Sequence, residues 1–195
     1  MVKTSRIFAT GILLLAAGLC GAETATPVYF NYFGSQIQPD RYTRNMGALV
    51  DRRIVDEPSR DGERSLEISF IFSEKELTGP LLWDLSPVRI SRIRFNVYNP
   101  NPAERVIRVS PGLMDTDRRV WNLTAKGILL KSKEWTAVDL KVEDTVGLIK
   151  GTENLKVPEP KDASFMMMHI RFEVGSDFKG FGKPLNLYLN GMECY

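Results

Sequence analysis

Eight side chains in this sequence carry groups able to do chemistry and recur at the two-residue spacing of a strand. Arg94, Asn96 and Tyr98 fall in one stretch, Arg108 in the next, His169, Arg171 and Glu173 in a third, and Tyr188 near the end. A period of two puts alternate residues on one side of an extended chain. Guanidinium groups offer forked donors for hydroxyls or carboxylates, and tyrosine rings offer flat apolar surface with a polar tip. Collected on one concave sheet face, the eight would make a ligand-binding surface for sugar hydroxyls and stacked pyranose rings. The same pattern is also served by a solvated sheet face, whose long side chains cover the strands and pair across them without any ligand.

Catalytic motifs are missing from the sequence. It contains no GxSxG, HExxH or phosphate-cradling glycine loop and no paired cysteine ligands. His169 is the single histidine, so a triad with other histidines or a multi-histidine metal site is excluded by counting. Elimination at a uronate, as in polysaccharide lyases, needs a Tyr or His beside arginines, and His169 and Arg171 with Arg94, Tyr98 and Tyr188 are the residues of the right types. Glycoside hydrolysis needs two facing carboxylates; Glu67, Asp139 and Glu173 sit at outward positions, and no spacing joins any two of them. Trp121 and Trp135 are candidate stacking platforms, Trp135 also suiting a packed place at the sandwich edge. Trp83, among Leu81, Leu82 and Leu85, reads as core.

These residues need strands to hold them. Ile93, Phe95 and Val97 alternate with Arg94, Asn96 and Tyr98; the NPNP of 99–102 ends that ladder, because proline has no N–H to donate. Val106, Ile107 and Val109 resume the β-rich composition, which predicts a hairpin. Further strands are predicted at 28–33, 65–73, 121–123, 135–142, 165–174 and 185–189. The inward row of the 165–174 strand is Met166, Met168, Ile170, Phe172 and Val174. Polar residues 35–64, with Pro39, Pro58 and Gly62, read as loop with a short apolar piece at 46–50 able to pair at an edge. Residues 74–86 read as a loop carrying an apolar plug, and 143–164 as irregular with a helical turn near Val146. The Arg52, Arg53 and Arg118, Arg119 pairs fall in expected solvated loops. No helical period of useful length appears. One-sided strands spaced near ten residues apart need a second sheet to cover them, so the expected fold is all-β: a two-sheet antiparallel β-sandwich, preferably a jelly roll.

The first 22 residues have Lys3 and Arg6, an apolar run from 7 to 19 and small residues before a polar start, the three regions of a signal peptide. Cleavage near Ala22 and a single domain over 23–195 are expected, hence an exported protein, periplasmic or extracellular. The run is too short to span a bilayer, so no transmembrane segment is expected in the mature chain. Lipid attachment at Cys20 is the less favoured reading because Leu19 precedes it where a small residue is usual. Removing this segment leaves Cys194 as the only cysteine; without an intrachain disulfide, stability must come from the core, with Cys194 as a small apolar filler. A net charge of +2, with basic residues scattered among acidic ones, lacks the footprint of a nucleic-acid binder. Asn122-Leu123-Thr124 forms a glycosylation sequon, a triplet that chance produces often.

The order of ISRIRFNVYNPN, the Trp121 turn, EWTAVDL, FMMMHIRFEV and LNLYLNGMEC, together covering about Leu66 to Cys194, resembles the jelly-roll carbohydrate-binding modules of the galactose-binding-like group. The resemblance implies a non-catalytic module with a glycan partner. In that group the last strand often carries an aspartate that helps hold a structural calcium. Asn190 stands at that place here, a departure from the pattern that puts a structural calcium in doubt, and no other cofactor is expected. The alternative is a cell-envelope or extracellular subunit that meets a protein partner through its sheets.

Overall fold

The computed structural model describes residues 29–31, 47–144 and 160–195, and over these the period-two rows become eleven strands. They are β1 (Tyr29–Asn31), β2 (Leu49–Arg60), β3 (Glu63–Ile71), β4 (Thr78–Val88), β5 (Arg92–Asn99), β6 (Ile107–Asp115), β7 (Val120–Asn122), β8 (Ile128–Leu129), β9 (Glu134–Lys141), β10 (Phe165–Val174) and β11 (Pro184–Cys194). The larger sheet runs β2-β3-β11-β5-β9, with β1 beside the end of β11; the smaller runs β4-β10-β6-β7, with β8 on β6. Every strand pair is antiparallel. The result is the expected jelly-roll β-sandwich, and its only helical pieces among the described residues are 3-10 turns at Val142–Asp144 and Pro160–Asp162. No helix among the described residues is long and apolar enough to cross a membrane.

The inward rows of both sheets fuse into one core. Leu66, Ile68 and Phe70 of β3, Phe95 of β5, Leu187 of β11 and Ile170 of β10 are all buried. Phe70 meets Phe172 of the opposite sheet with ring centroids 5.2 Å apart. Burying each such side chain stabilises the fold by about 1.5–3 kcal/mol. Trp83 is fully buried, and so is Cys194, whose thiol burial pushes up to about 12.

Four local expectations need correction. Residues 49–60 are not loop but the edge strand β2. Its Pro58 lies where the register with β3 is irregular, so the missing N–H breaks no ladder bond. Residues 78–88 are likewise a strand, β4, whose buried Leu81, Trp83 and Leu85 are an ordinary inward row rather than a plug. The NPNP segment does not close a hairpin: β5 belongs to the larger sheet and β6 to the smaller, so it carries the chain from one sheet to the other. Asn99 and Asn101 are buried there, and the Asn101 amide donates to the Asn99 side chain at 2.9 Å and to the Asn186 carbonyl at 3.0 Å, pinning that crossing to β11. Finally, a register shift between Phe165 and Met167 takes Met166 out of the buried row of β10 and leaves Phe165 and Met168 inward. The expected signal segment and the helical turn near Val146 lie outside the described residues.

Candidate functional site

On the outer face of the larger sheet, register lines up side chains from five of its six strands. Arg53 faces Glu67, Glu67 faces Tyr188, Tyr188 faces Tyr98, and Tyr98 faces Trp135. Facing residues share a face and sit one strand spacing apart, so this row crosses the sheet at right angles to its strands. Its aromatic part is continuous: centroids are 6.1 Å apart from Tyr188 to Tyr98 and 5.4 Å from Tyr98 to Trp135, with the rings tilted. All three rings are half-buried, presenting apolar surface while keeping a polar edge. At the other end the Glu67 carboxylate accepts from Arg53, from the Asn186 amide at 2.8 Å and from the Tyr188 hydroxyl at 3.2 Å. Burial, then the Glu67 charge and hydrogen bond, hold the Tyr188 phenol above its ordinary value, which keeps it protonated.

Two residues further along β5 the face opens into a cleft of ≈ 320 Å³ whose walls include Arg60, Glu63, Arg94, Asn96, Asp139 and Glu193. A bulge at Gly191 makes this possible. Asn190 pairs with Asn96 and Glu193 with Arg94, so β11 spends one extra residue between them, and Glu193 joins Asn190 on the outer face instead of pointing into the core. Gly191 has φ +58, a conformation that side chains with a Cβ rarely adopt. The guanidiniums here are held by neighbouring carboxylates. Arg94 lies 3.4 Å from Asp139 and 3.7 Å from Glu193, and Arg92 binds Asp139 through two bonds of 2.5 Å. Those Arg92 bonds hold the Asp139 carboxyl below its usual range, whereas burial and the nearby Asp61 and Glu193 charges push Glu63 up. Arg60 donates to the Asn96 side chain, and the Asn190 amide donates to the main-chain carbonyl of Arg64 at 3.0 Å. Among the described residues no three His, Cys, Asp or Glu side chains come together to hold a metal ion.

The eight residues singled out in the sequence do not share one face. Arg94, Asn96, Tyr98 and Tyr188 belong to the larger sheet, while Arg108, His169, Arg171 and Glu173 lie on the outer face of the smaller one, across the core. Alternation tells the side of a strand but not the sheet it joins, and the NPNP crossing separates β5 from β6. On the smaller sheet Arg171 pairs with Glu173 at 2.6 Å, and Arg108 reaches the Gly127 carbonyl at 3.5 Å. The His169 ring lies close against Gly112: a Cβ there would stand 2.2 Å from its Cε1. Burial, and then the Arg171 charge, lower the His169 pKa to about 4.

Of the candidate platforms, Trp135 joins the aromatic row and Trp121 does not. Trp121 is buried with its N–H 3.1 Å from Asp115, which also receives Arg119 at 2.7 Å; Arg119 is therefore a buried partner and not a solvated loop residue. Glu67, at an expected wet position, has its side chain only 4% accessible. Arg53 and Arg60 were hidden in the stretch that reads as loop. Asp61-Gly62 was the signal that could have revealed them: both take positive φ and close the two-residue β2–β3 hairpin.

No protein family matches the sequence, and no curated protein matches it. Solved structures do match. The family 11 carbohydrate-binding module from Clostridium thermocellum, in complex with a β-1,3-1,4-mixed-linked tetrasaccharide, is 10% identical with a TM-score of 0.54 over 85% of this chain and 94% of that one. A family 28 module specific for non-crystalline cellulose is 14% identical with a TM-score of 0.52, over 73% and 79% of the two chains. A xylan-binding domain of family 22 is 13% identical with a TM-score of 0.50, over 88% and 95%. At such identities the likeness is one of fold, and the chain is a jelly-roll β-sandwich similar in architecture to carbohydrate-binding modules.

Proposed function

We propose that this protein is an exported, non-catalytic glycan-binding module whose ligand lies on the outer face of the larger sheet, along Tyr188, Tyr98 and Trp135. The observation that carries the reading is the aromatic row itself. Three half-buried rings from three strands line up by register beside a polar cleft, giving apolar faces for sugar rings and hydrogen-bonding groups for their hydroxyls. Structures of the same fold that bind mixed-linkage glucan, cellulose or xylan support the class of ligand. Export is supported by the N-terminal sequence pattern.

Elimination chemistry is the weaker reading on physical grounds. A tyrosine base needs its pKa brought down toward neutral, and Tyr188 is shifted upward with its proton directed at Glu67. His169 stands across the core from Arg94, Tyr98 and Tyr188. The Arg94 guanidinium that would neutralise a uronate already faces Asp139 and Glu193.

Affinity electrophoresis through gels containing mixed-linkage β-glucan, xylan or soluble cellulose tests the proposal. At least one polysaccharide should retard the wild-type protein, and Trp135→Ala should migrate freely while still unfolding in one cooperative transition. If none retards the protein and a cell-envelope protein is captured instead, the interaction-subunit reading replaces this one. Release of unsaturated product, seen by ultraviolet absorbance and lost in Tyr188→Phe, would make it a lyase.

A further inference from the structure

Glu67 is unusual on its face. It points outward from β3 with its side chain only 4% accessible, while the next outward position but one on the same strand, Ile71, shows that an apolar residue is tolerated there. A buried carboxylate is costly unless donors converge on it. Here donors arrive from two flanking strands: Arg53 from β2, and Asn186 and Tyr188 from β11. Asn186 is fixed at its other end too, since Ser69 donates to its side-chain oxygen at 2.8 Å. The acid therefore sits where it can set the orientation of the first ring of the row and of the amide beside it.

We propose that Glu67 is a positioning residue of the glycan site, holding the Tyr188 ring so that a sugar meets a preformed surface. The inference rests on the glycan reading. Arg53 leaves its guanidinium largely in solvent, 68% accessible, so neutralising Glu67 does not strand a buried cation. Glu67→Gln is thus a mild variant, preserving shape and a hydrogen-bond acceptor while removing the charge. Without the clamp the ring has to be ordered when ligand arrives, which weakens binding roughly fivefold.

Two measurements test this. Ultraviolet titration of the tyrosines in wild type minus Tyr188→Phe isolates one phenol that ionises above the ordinary value of about 10. Against the Glu67→Gln background the same difference should titrate lower, and no movement would overturn the proposal. Binding of mixed-linkage β-glucan is then measured in the cycle of wild type, Glu67→Gln, Tyr188→Phe and the double variant. Glu67→Gln should weaken binding roughly fivefold in the wild-type background and hardly at all when Tyr188 is already Phe. Equal losses in both backgrounds would mean that Glu67 does not act through Tyr188, and would also overturn it. If wild type binds none of the β-glucan, xylan or cellulose, the glycan reading fails and this role with it, while the titration still reports whether Glu67 holds Tyr188.

Discussion

The outer faces of the two sheets are made of similar residues in the same alternation, yet their registers bring very different things together. On the larger sheet, successive strands place Glu67, Tyr188, Tyr98 and Trp135 in one line, and Arg92 and Arg94 share Asp139 across β5 and β9. On the smaller sheet His169 faces Gly112 and Leu82 and Arg171 faces Ser110 and Pro80, and although Glu173 faces Arg108, its ion pair is with Arg171 on its own strand. A sheet face becomes a surface for a ligand when neighbouring strands present matching groups at the same level. Composition along a single strand does not decide it.

That contrast can be broken most forcefully at Tyr98, the middle ring. Tyr98→Ala should weaken glycan binding by about 2 kcal/mol, roughly thirtyfold, in a gel or calorimetric titration, while Arg171→Ala on the opposite face leaves the affinity as it is. Equal losses from both would mean that the aromatic row is not the site.

Next in size is an effect confined to the smaller sheet. The Cβ of Gly112→Ala would press 2.2 Å from the His169 ring and 2.8 Å from the Trp121 carbonyl. It should therefore cost about 1–3 kcal/mol in denaturant unfolding without changing glycan affinity. The larger sheet offers a gentler counterpart in Gly191→Ala, whose Cβ has open room, 3.7 Å from Asn96, but whose φ is +58. Here about 1 kcal/mol of backbone strain is expected, with a loss of affinity if the bulge that turns Glu193 outward shifts.

The acid response separates the faces more finely. His169 is neutral when folded, with a pKa of about 4 against an unfolded value near 6.5, so the unfolded chain takes up its proton first. Stability should be intact above pH 6.5 and decline as pH falls from there toward 4. His169→Gln should flatten that decline in thermal unfolding. Asp139, held low chiefly by Arg92, contributes stability that is lost only at still lower pH, as its carboxyl is finally protonated.

Much of the fold was legible because burial in a two-layer β protein repeats every second residue. Phe95, Ile170 and Leu187 announced their inward rows, and the core holds them all. Strand β2 was not legible, since LVDRRIVDEPSR has no clean alternation of apolar and polar residues and carries Pro58, and it took Arg53 and Arg60 out of view. The candidate site was half legible. Tyr98 and Tyr188 were singled out from their outward positions, but their partnership depends on β5 and β11 lying side by side, a long-range pairing that no local pattern encodes. The same blindness merged His169 and Arg171 with residues on the far side of the core.

Amide shift mapping by NMR, with the β-1,3-1,4-linked tetrasaccharide added to the isotope-labelled protein, is the most direct test of where the ligand sits. The account predicts perturbations confined to β5, β9 and β11 around Tyr98, Trp135 and Tyr188. Perturbations centred on His169 and Arg171 of β10, with β5, β9 and β11 unmoved, would contradict it.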